Sequence, residues 1–299
     1  MTEPTPERSR RGGREARRAE RAAPLTEDLR PIRPGLVGGA YQPLSAADLK
    51  KLHTAALDVL AEIGLADAPP SGIELLTAFG AELRPNGRIC FPRSLVEDVI
   101  AKAARRFVLH GQDPRYDLEP WGKKVHCGMA GAAVSMLDLE TRTYRDSTTR
   151  DLYDIARVCD ALDNIHFFLR AVVCRDLTDP REMDINTCYA AVSGTAKPAG
   201  SSWSDPAHMI PTLEMLHLIA GSEAKWRARP FVHQSNCFVV PPLKFAADAC
   251  RCLEVAVRAG MPVFLVSAGQ AGATSPASLA GSIVQEMAEC LAGLVYVNA

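Results

Sequence analysis

The sequence predicts an α/β fold: a (β/α)₈ TIM barrel that is incomplete, with about its first half present, preceded by an α+β N-terminal region. From Ser147 onward, helical patterns alternate with short apolar segments, which is typical of a parallel sheet. These segments are apolar at successive positions, as strands are when both sheet faces are covered. Neither common nucleotide-binding glycine motif is present, which favours a barrel over an open sheet.

Composition limits the classes of function. The chain has 299 residues, of which 47% are hydrophobic, enough to bury a large core. Its 34 basic and 35 acidic residues nearly balance, so we expect a small-molecule substrate and no nucleic-acid partner. No apolar run approaches the roughly 20 residues of a membrane helix, and no secretory signal is visible, which predicts a cytoplasmic protein. Nine cysteines, an odd number, suit reduced thiols better than disulfides.

The first segment, residues 1–40, is predicted to be a disordered arginine-rich tail. It contains seven arginines between Arg8 and Arg21 and few apolar positions. A solvated tail is the simplest interpretation, and a basic arm that docks on a partner protein is the alternative. An organellar transit peptide is disfavoured by the interspersed glutamates.

The second segment, residues 41–146, is predicted to be an α+β region. Ser45 and Asp48 form a helix-start pattern, and an apolar face then runs to Ile63 before Gly64 ends the helix. Further helices are predicted at residues 72–79 and 93–106. Extended segments are predicted at residues 88–91, 107–110, 124–127 and 132–144.

The third segment, residues 147–299, is predicted to be a partial barrel. Its helices are predicted at residues 149–162, 180–193, 206–219 and 243–259, with a last helix capped by Ser275 and Pro276. Its strands are predicted at residues 165–174, 197–202, 231–238 and 262–267. The chain ends inside the last helical pattern, so we expect a C-terminal truncation, with open sheet edges that favour instability or association into a homo-oligomer.

Candidate site residues follow from position, because barrel active sites lie at the carboxyl ends of the strands. No catalytic residue and no metal site is predicted, since histidines and cysteines lack metal-clip spacing and no serine-hydrolase elbow occurs. The candidates for substrate binding are Trp203, Gln234, Asn236, Gln270, Gly272 and Thr274.

Two of these groups have alternative interpretations. In the polar run 233–236, strand alternation sends Gln234 and Asn236 to one face and His233 and Ser235 to the other. One pair is expected to line the barrel mouth, and a polar network between strands is the alternative. The glycine-rich loop 269–276 offers backbone N–H groups to an anion, or it is an ordinary tight connection.

Several stretches together resemble the trimethylamine methyltransferase family, including members that act on quaternary amines such as glycine betaine. They are RRGGR at residues 10–14, LDVLAEIG at 57–64, HCGMAGAAVSMLDLETRTYRDSTTRDLYDIARVCDALDNI at 126–165, and SAGQAGATSPASLAGSIVQEMAECLAGLVYVNA at 267–299. The resemblance implies a barrel that moves a methyl group from a methylated amine to the Co(I) of a corrinoid. That cofactor is presented by a separate corrinoid-binding protein, and the barrel itself binds none directly.

The resemblance also implies a cavity that orients a cationic substrate, for which Trp203 is the predicted aromatic contact. In pyrrolysine-containing relatives the pyrrolysine lies beyond the position of Ala299. Two other classes stay open. A barrel lyase or aldolase needs a Schiff-base lysine at a strand end, whereas Lys197 starts its strand. A non-catalytic binding or assembly module is the second.

Overall fold

Helices and short strands make up the described part of the chain. This computed structural model describes Ala23 and residues 35–129 and 131–299, and for Asn236 it describes the backbone alone. The helices are α1 (Ala46–Asp58), α2 (Pro70–Ala78), α3 (Arg93–Lys102), α4 (Thr149–Ala161), α5 (Pro180–Gly194), α6 (Pro206–Ala220), α7 (Glu223–Ala228), α8 (Ala247–Arg258) and α9 (Leu279–Asn298). The strands are β1 (Leu36–Val37), β2 (Glu82–Leu83), β3 (Ile89–Cys90), β4 (Lys124–Val125), β5 (Ser135–Leu137), β6 (Tyr144–Asp146), β7 (Phe168–Leu169), β8 (Ala199–Ser201), β9 (Val232–Cys237), β10 (Val239–Val240), β11 (Lys244–Phe245) and β12 (Val263–Val266).

The arginines of the predicted tail lie outside the described residues, and the predicted tail boundary at residue 40 falls just after β1. That strand pairs antiparallel with β4, Leu36 opposite Val125. No helix in the described ranges has the length and apolar character needed to cross a membrane.

A four-stranded parallel sheet is the centre of the second half of the chain, as the alternating pattern predicted. Its strand order is β12, β9, β8, β7, and every neighbouring pair is parallel. Strands that follow one another along the chain are therefore neighbours in the sheet. Isolated parallel bridges from Gly128 to Phe167 and from Ala133 to Val172 extend the pairing beyond β7. A doubly wound sheet would reverse its order at a switch point, and these four strands do not.

The helices that cross between these strands begin with strong caps. Thr148 and Asp151 form a reciprocal capping box at α4. Asp179 caps α5 and Asp205 caps α6, each followed by proline in the first helical turn. The apolar faces of these helices bury a core against the sheet, which contains Leu152, Ala156, Phe168, Cys188, Trp203, Met209, Val232 and Cys252.

A second core joins the N-terminal region to the end of the chain. Helices α1, α2 and α3 pack with α9, the β10–β11 hairpin and α8. Gly72 is needed where α2 meets α9, because a Cβ there would lie 2.4 Å from the Tyr296 hydroxyl oxygen. Ser71 and Tyr296 both donate hydrogen bonds of 2.8 Å to the Glu254 carboxylate. Helices distant in sequence are thereby tied together.

The structure corrects several predicted boundaries. The helix predicted at 243–259 starts at Ala247, because Val239–Val240 and Lys244–Phe245 form a hairpin instead. The last helix is capped by Ser278, whose hydroxyl accepts the Gly281 N–H. The predicted cap, Ser275, was wrong, because the helix starts only at Leu279 and the Ser275 hydroxyl pairs with the Ser282 hydroxyl at 2.8 Å. The strand predicted at 165–174 is a regular strand only at Phe168–Leu169, with single bridges at Phe167 and Val172. Helix α7 was not predicted.

Lys197 stabilises the amino end of the sheet. Its side chain is 1% exposed, and its Nζ donates to the carbonyl oxygens of Cys159, Leu162 and Ile165 at 2.7–2.8 Å. Those carbonyls belong to the end of α4 and the turn that leaves it, so one ammonium group satisfies three acceptors. Desolvation lowers the pKa of Lys197.

We expect Lys197→Met to lower the free energy of unfolding by about 3 kcal/mol, because it leaves buried carbonyls without donors. Urea denaturation followed by circular dichroism measures this. The matched control is Lys225→Met, at an exposed lysine, which should change stability by less than about 0.5 kcal/mol. Equal stability of the Lys197 variant and the parent chain would contradict the assigned role.

Candidate functional site

The predicted site residues lie on three adjacent parallel strands or directly after them, and the carboxyl ends of these strands lie on the same side of the sheet. Trp203 follows β8, Gln234 and Asn236 lie in β9, and the loop carrying Gln270, Gly272 and Thr274 follows β12. These three strands are adjacent in the sheet. The substrate contacts of the individual residues stay predictions.

Trp203 lies in the core between sheet and helices. It is 2% exposed, and its indole N–H donates to the Thr212 hydroxyl oxygen at 3.2 Å. Phe168 and Met209 belong to the same core. An indole buried in this way contributes packing energy and fixes α6 against the end of β8.

Gln234 lies on the sheet face that packs against helices. Its register partners are Ser201 and Val263, and Val263 packs against both buried cores. The side chain is 1% exposed, and neither amide atom has a hydrogen-bond partner among the described residues. The backbone of Asn236 pairs with Leu265. Alternation then assigns the pair His233 and Ser235 to the opposite face, which lies away from these helices and which we call the open face.

The loop after β12 is a closed turn. The N–H groups of Ala273, Thr274 and Ser275 donate to the Gln270 carbonyl oxygen, and the Gln270 N–H donates to the Thr274 hydroxyl at 2.9 Å. Gly272, with φ of 82°, donates to the Ser275 carbonyl oxygen. Because the loop uses these donors itself, its geometry fits the tight-connection interpretation better than anion binding.

Glu289 fixes this loop and the neighbouring hairpin to α9. Its fully buried carboxylate accepts hydrogen bonds from the Leu243 N–H at 2.7 Å, from Gln285 Nε2 at 3.2 Å and from the Ser267 hydroxyl. Gln285 also donates to the Thr274 carbonyl oxygen at 2.9 Å. The carboxyl end of β12 is therefore held rigidly.

Three rings meet on the open face of the sheet, and we call Phe167, His233 and Phe264 the aromatic floor. The imidazole stacks on Phe264 with centroids 4.2 Å apart and an interplanar angle of 24°. Phe167 meets both other rings edge-on, at 6.4 Å from His233 and 6.1 Å from Phe264. Leu109, Tyr116 and Leu118 pack with the two phenylalanines. The floor is thus supported by the N-terminal region.

Gly200 makes the floor possible. A Cβ at this position would lie 2.3 Å from Leu169 Cδ2 and 2.6 Å from His233 Nε2. Any side chain would displace the imidazole, so the close approach of the ring to β8 requires glycine.

His233 is an uncharged ring at neutral pH. It is 1% exposed, and desolvation lowers its pKa to about 3. Its Nε2 has no hydrogen-bond partner among the described residues. The floor therefore offers aromatic faces and one neutral imidazole, without a positive charge.

Above the floor, toward the carboxyl ends, alternation places Leu169, Ser202, Ser235 and Val266 on the same open face, and we call these four residues the upper row. None of the four carries a charge. Two are small hydroxyl residues that can donate or accept hydrogen bonds. The site is thus an uncharged surface with aromatic rings beneath it.

The sequence reasoning did not select Phe167 and Phe264. Each is one aromatic residue in a short apolar run, and alternation alone gives no choice between the two faces. Phe167, Gly200 and His233 lie on the same face of neighbouring strands. That shared face becomes apparent only when the register of the strand pairing is known.

The structure also bears on a Schiff-base lysine and on a metal site. Lys197 sits at the amino end of β8 with its ammonium group fully used, away from the strand ends where a Schiff-base lysine would be needed. No group of three or more His, Cys, Asp or Glu side chains placed to hold a metal ion occurs in the described ranges. All nine cysteines are free.

The structure is that of a mixed α/β protein with a four-stranded parallel sheet, one face of which carries uncharged residues and aromatic rings. Residues 10–299 match the family model described as trimethylamine methyltransferase (MTTB). The chain belongs to this trimethylamine methyltransferase family.

Curated relatives agree with this assignment. The chain is 32% identical over 254 residues to the trimethylamine methyltransferase MttB of Desulfitobacterium hafniense, covering 84% of the chain and 50% of the relative. It is 30% identical over 261 residues to MttB1 of Methanosarcina mazei, covering 84% of the chain and 52% of the relative. A glycine betaine methyltransferase of Desulfitobacterium hafniense is 23% identical over 259 residues, covering 85% and 52%. The chain spans about half the length of the curated relatives it matches.

We expect Gly200→Ala to destabilise the chain by about 1–3 kcal/mol, because the added methyl group overpacks the contact with Leu169 and His233. Urea denaturation measures the change. Gly87→Ala is the control for space, since nothing lies within 4 Å of its Cβ position, although its φ of 79° adds its own strain. A Gly200 variant as stable as the parent would show that the imidazole has room to move.

The buried histidine predicts a pH dependence of stability. Below the ordinary histidine pKa near 6.5, the unfolded chain binds a proton that folded His233 does not bind, so its contribution to stability is lost as pH falls. Between pH 6 and 4 the unfolding free energy should fall by about 1.4 kcal/mol per pH unit more steeply than in His233→Gln. Equal slopes of unfolding free energy against pH for the parent and for His233→Gln would contradict the predicted effect of His233.

Proposed function

We propose that the chain forms the part of a methyltransferase that holds a methylated amine, trimethylamine or a quaternary amine such as glycine betaine, while its methyl group passes to the Co(I) of a corrinoid. The observation that carries the proposal is the family match over residues 10–299, joined to a parallel sheet with an uncharged ligand surface. The corrinoid belongs to a separate partner protein in this proposal.

We further propose that the four parallel strands are a contiguous part of a (β/α)₈ barrel. Support comes from their order, since each new strand adds to the same side of the sheet after a helical crossover. In a barrel the open face bearing the aromatic floor becomes the interior. The carboxyl ends then form the rim at which substrate and partner protein meet.

The chemistry requires little from the protein beyond position. In this proposal the Co(I) of the partner's corrinoid would supply the electron pair for the new bond to the methyl carbon, and the electron pair of the broken carbon–nitrogen bond would stay on nitrogen. A quaternary ammonium ion would leave as a neutral tertiary amine. Trimethylamine would react as its trimethylammonium ion and leave as neutral dimethylamine, so this chain need not transfer a proton in either case. The floor and the upper row would hold the ammonium group, exclude water and point one methyl group toward the rim.

The uncharged surface fits that task. A cation needs favourable contacts without a fixed positive charge nearby, and neutral His233 meets this condition. Gly200 lets the His233 ring lie directly against β8, and Ser202 and Ser235 are small side chains at the next level toward the carboxyl ends. Trp203, Gln234, Asn236, Gln270, Gly272 and Thr274 remain proposed substrate-binding residues, the first two through their support of β8 and β9.

The test is a cobalt assay. Purified protein containing this chain is mixed with a corrinoid-binding protein in the Co(I) state, and absorbance is followed as trimethylamine, glycine betaine or another quaternary amine is added. We expect loss of the Co(I) spectrum with at least one amine, and none when the chain is omitted. Unchanged spectra with every amine, under conditions in which a known relative reacts, would overturn the proposal.

A further inference from the structure

We propose that the groove between the β5–β6 hairpin and α4 binds the arginine-rich segment 8–21 of this same chain. The groove has a volume of about 420 Å³. Residues 136–140 and Arg145 form its hairpin wall, and its α4 wall is formed by Asp151, Asp154, Ile155 and Val158. We call it the hairpin groove. It lies outside the ligand surface described above, and the inference does not rest on the proposed function.

Apolar side chains of the hairpin groove are exposed to solvent. Leu139, at the turn of the hairpin, is 90% exposed, Val158 of α4 is 59% exposed, and Leu137 is 47% exposed. All three line the same groove. Apolar side chains that are exposed side by side mark a surface to which another segment or protein binds.

Carboxylates surround this apolar surface. The lining residues include four acidic side chains and one basic side chain, a net charge of −3, and the acidic ones are Asp138, Glu140, Asp151 and Asp154. The basic one, Arg145, is already bound to Asp151 through two hydrogen bonds of 2.7 Å. Glu140 uses its backbone N–H toward Asp138, and its carboxylate has no partner in the described ranges. The groove therefore favours a cationic occupant that also has apolar parts.

The segment 8–21 has this chemistry. It carries seven arginines and two glutamates, a net charge of +5, and most of its other residues are glycine or alanine. A guanidinium group can bind a carboxylate through two parallel hydrogen bonds. The methylene groups of the same side chain cover apolar surface. Arginines can thus satisfy both the carboxylates and the exposed leucines and valine of the groove.

The connecting chain is long enough for this contact. A Cβ on Gly35 would lie 3.1 Å from Lys124 Cβ and 3.1 Å from His126 Cε1, so Gly35 lies beside the end of β4. The ten residues from His126 to Met136, at the near end of the groove, span at most about 35 Å. The fourteen residues from Arg21 to Gly35 can span about 45 Å.

The position of the groove gives the contact a consequence. The Ser147 hydroxyl donates to the Val173 carbonyl oxygen at 2.7 Å, and Arg175 pairs with Asp146 at 2.9 Å. The hairpin is therefore fixed to the segment that follows β7, on the side of the carboxyl ends. Segment 8–21 covers apolar surface there and keeps it from a second copy of the chain or another protein.

Photo-crosslinking in the full chain tests the proposal. A p-benzoylphenylalanine in place of Ala19 is irradiated, and mass spectrometry locates the cross-links. We expect most of them within one chain, to residues 136–158, with a yield that does not depend on protein concentration. Raising the ionic strength from about 0.05 M to about 0.5 M should lower the yield at least about threefold, because salt screens exposed ion pairs.

Charge-reversed variants separate this contact from chance proximity. Glu140→Lys combined with Asp154→Lys should lower the yield at least about threefold, since two attractions become repulsions. The matched control is Glu97→Lys combined with Asp98→Lys, at exposed positions of α3, which should cross-link like the parent. Adding Arg17→Glu and Arg18→Glu to the groove variant should restore the yield. Circular dichroism checks that every variant is folded.

Three results would overturn the inference. Cross-links between two chains would show that a second copy occupies the groove. Cross-links scattered over the whole surface would show that segment 8–21 has no fixed binding site. An unchanged yield in the folded groove variant would show that its carboxylates do not bind the arginines.

Discussion

The parallel pairing of β7, β8, β9 and β12 in chain order is the constraint on which the rest of this structure depends. Each strand is short, and the pairing register decides which side chains meet across it. With Gly200 opposite His233 and Ser235 opposite Phe264, one face receives the rings and the other receives Val232, Val263 and the helices. A shift by one residue would exchange the two faces.

Polar groups near this sheet follow two patterns with different energetic consequences. Glu289 and Lys197 are buried with their hydrogen-bonding capacity used, so they tie helices to strand ends at low cost. Gln234 and Ser201 are register neighbours whose side-chain polar atoms lack partners among the described residues. Buried amides and hydroxyls without partners weaken a fold. Glu289 and Lys197 therefore stabilise the ends of the sheet, whereas Gln234 and Ser201 in its middle, on the helix face, lower the stability of the fold.

Membership of the trimethylamine methyltransferase family places this sheet beside enzymes whose names specify trimethylamine or glycine betaine. Their shared requirement is recognition of a nitrogen surrounded by methyl groups. An apolar, aromatic and uncharged surface suits such a group better than ion pairing, because methyl groups shield the charge and offer no hydrogen bonds. The rings of Phe167, His233 and Phe264 lie together on one face of the sheet, and the two phenylalanines pack against residues of the N-terminal region.

By itself the sequence determined the alternation of helices and parallel strands, the helix start at Ser45, and the family, because caps, periodicity and local motifs are properties of neighbouring residues. It also located the polar run of β9, from which Gln234 and Asn236 were predicted as site residues. Only the tertiary structure decided that Gln234 faces helices and His233 the open side, and joined Phe167 to Phe264 across nearly a hundred residues. Strand register and long-range packing are set by contacts between distant segments, which no local pattern encodes.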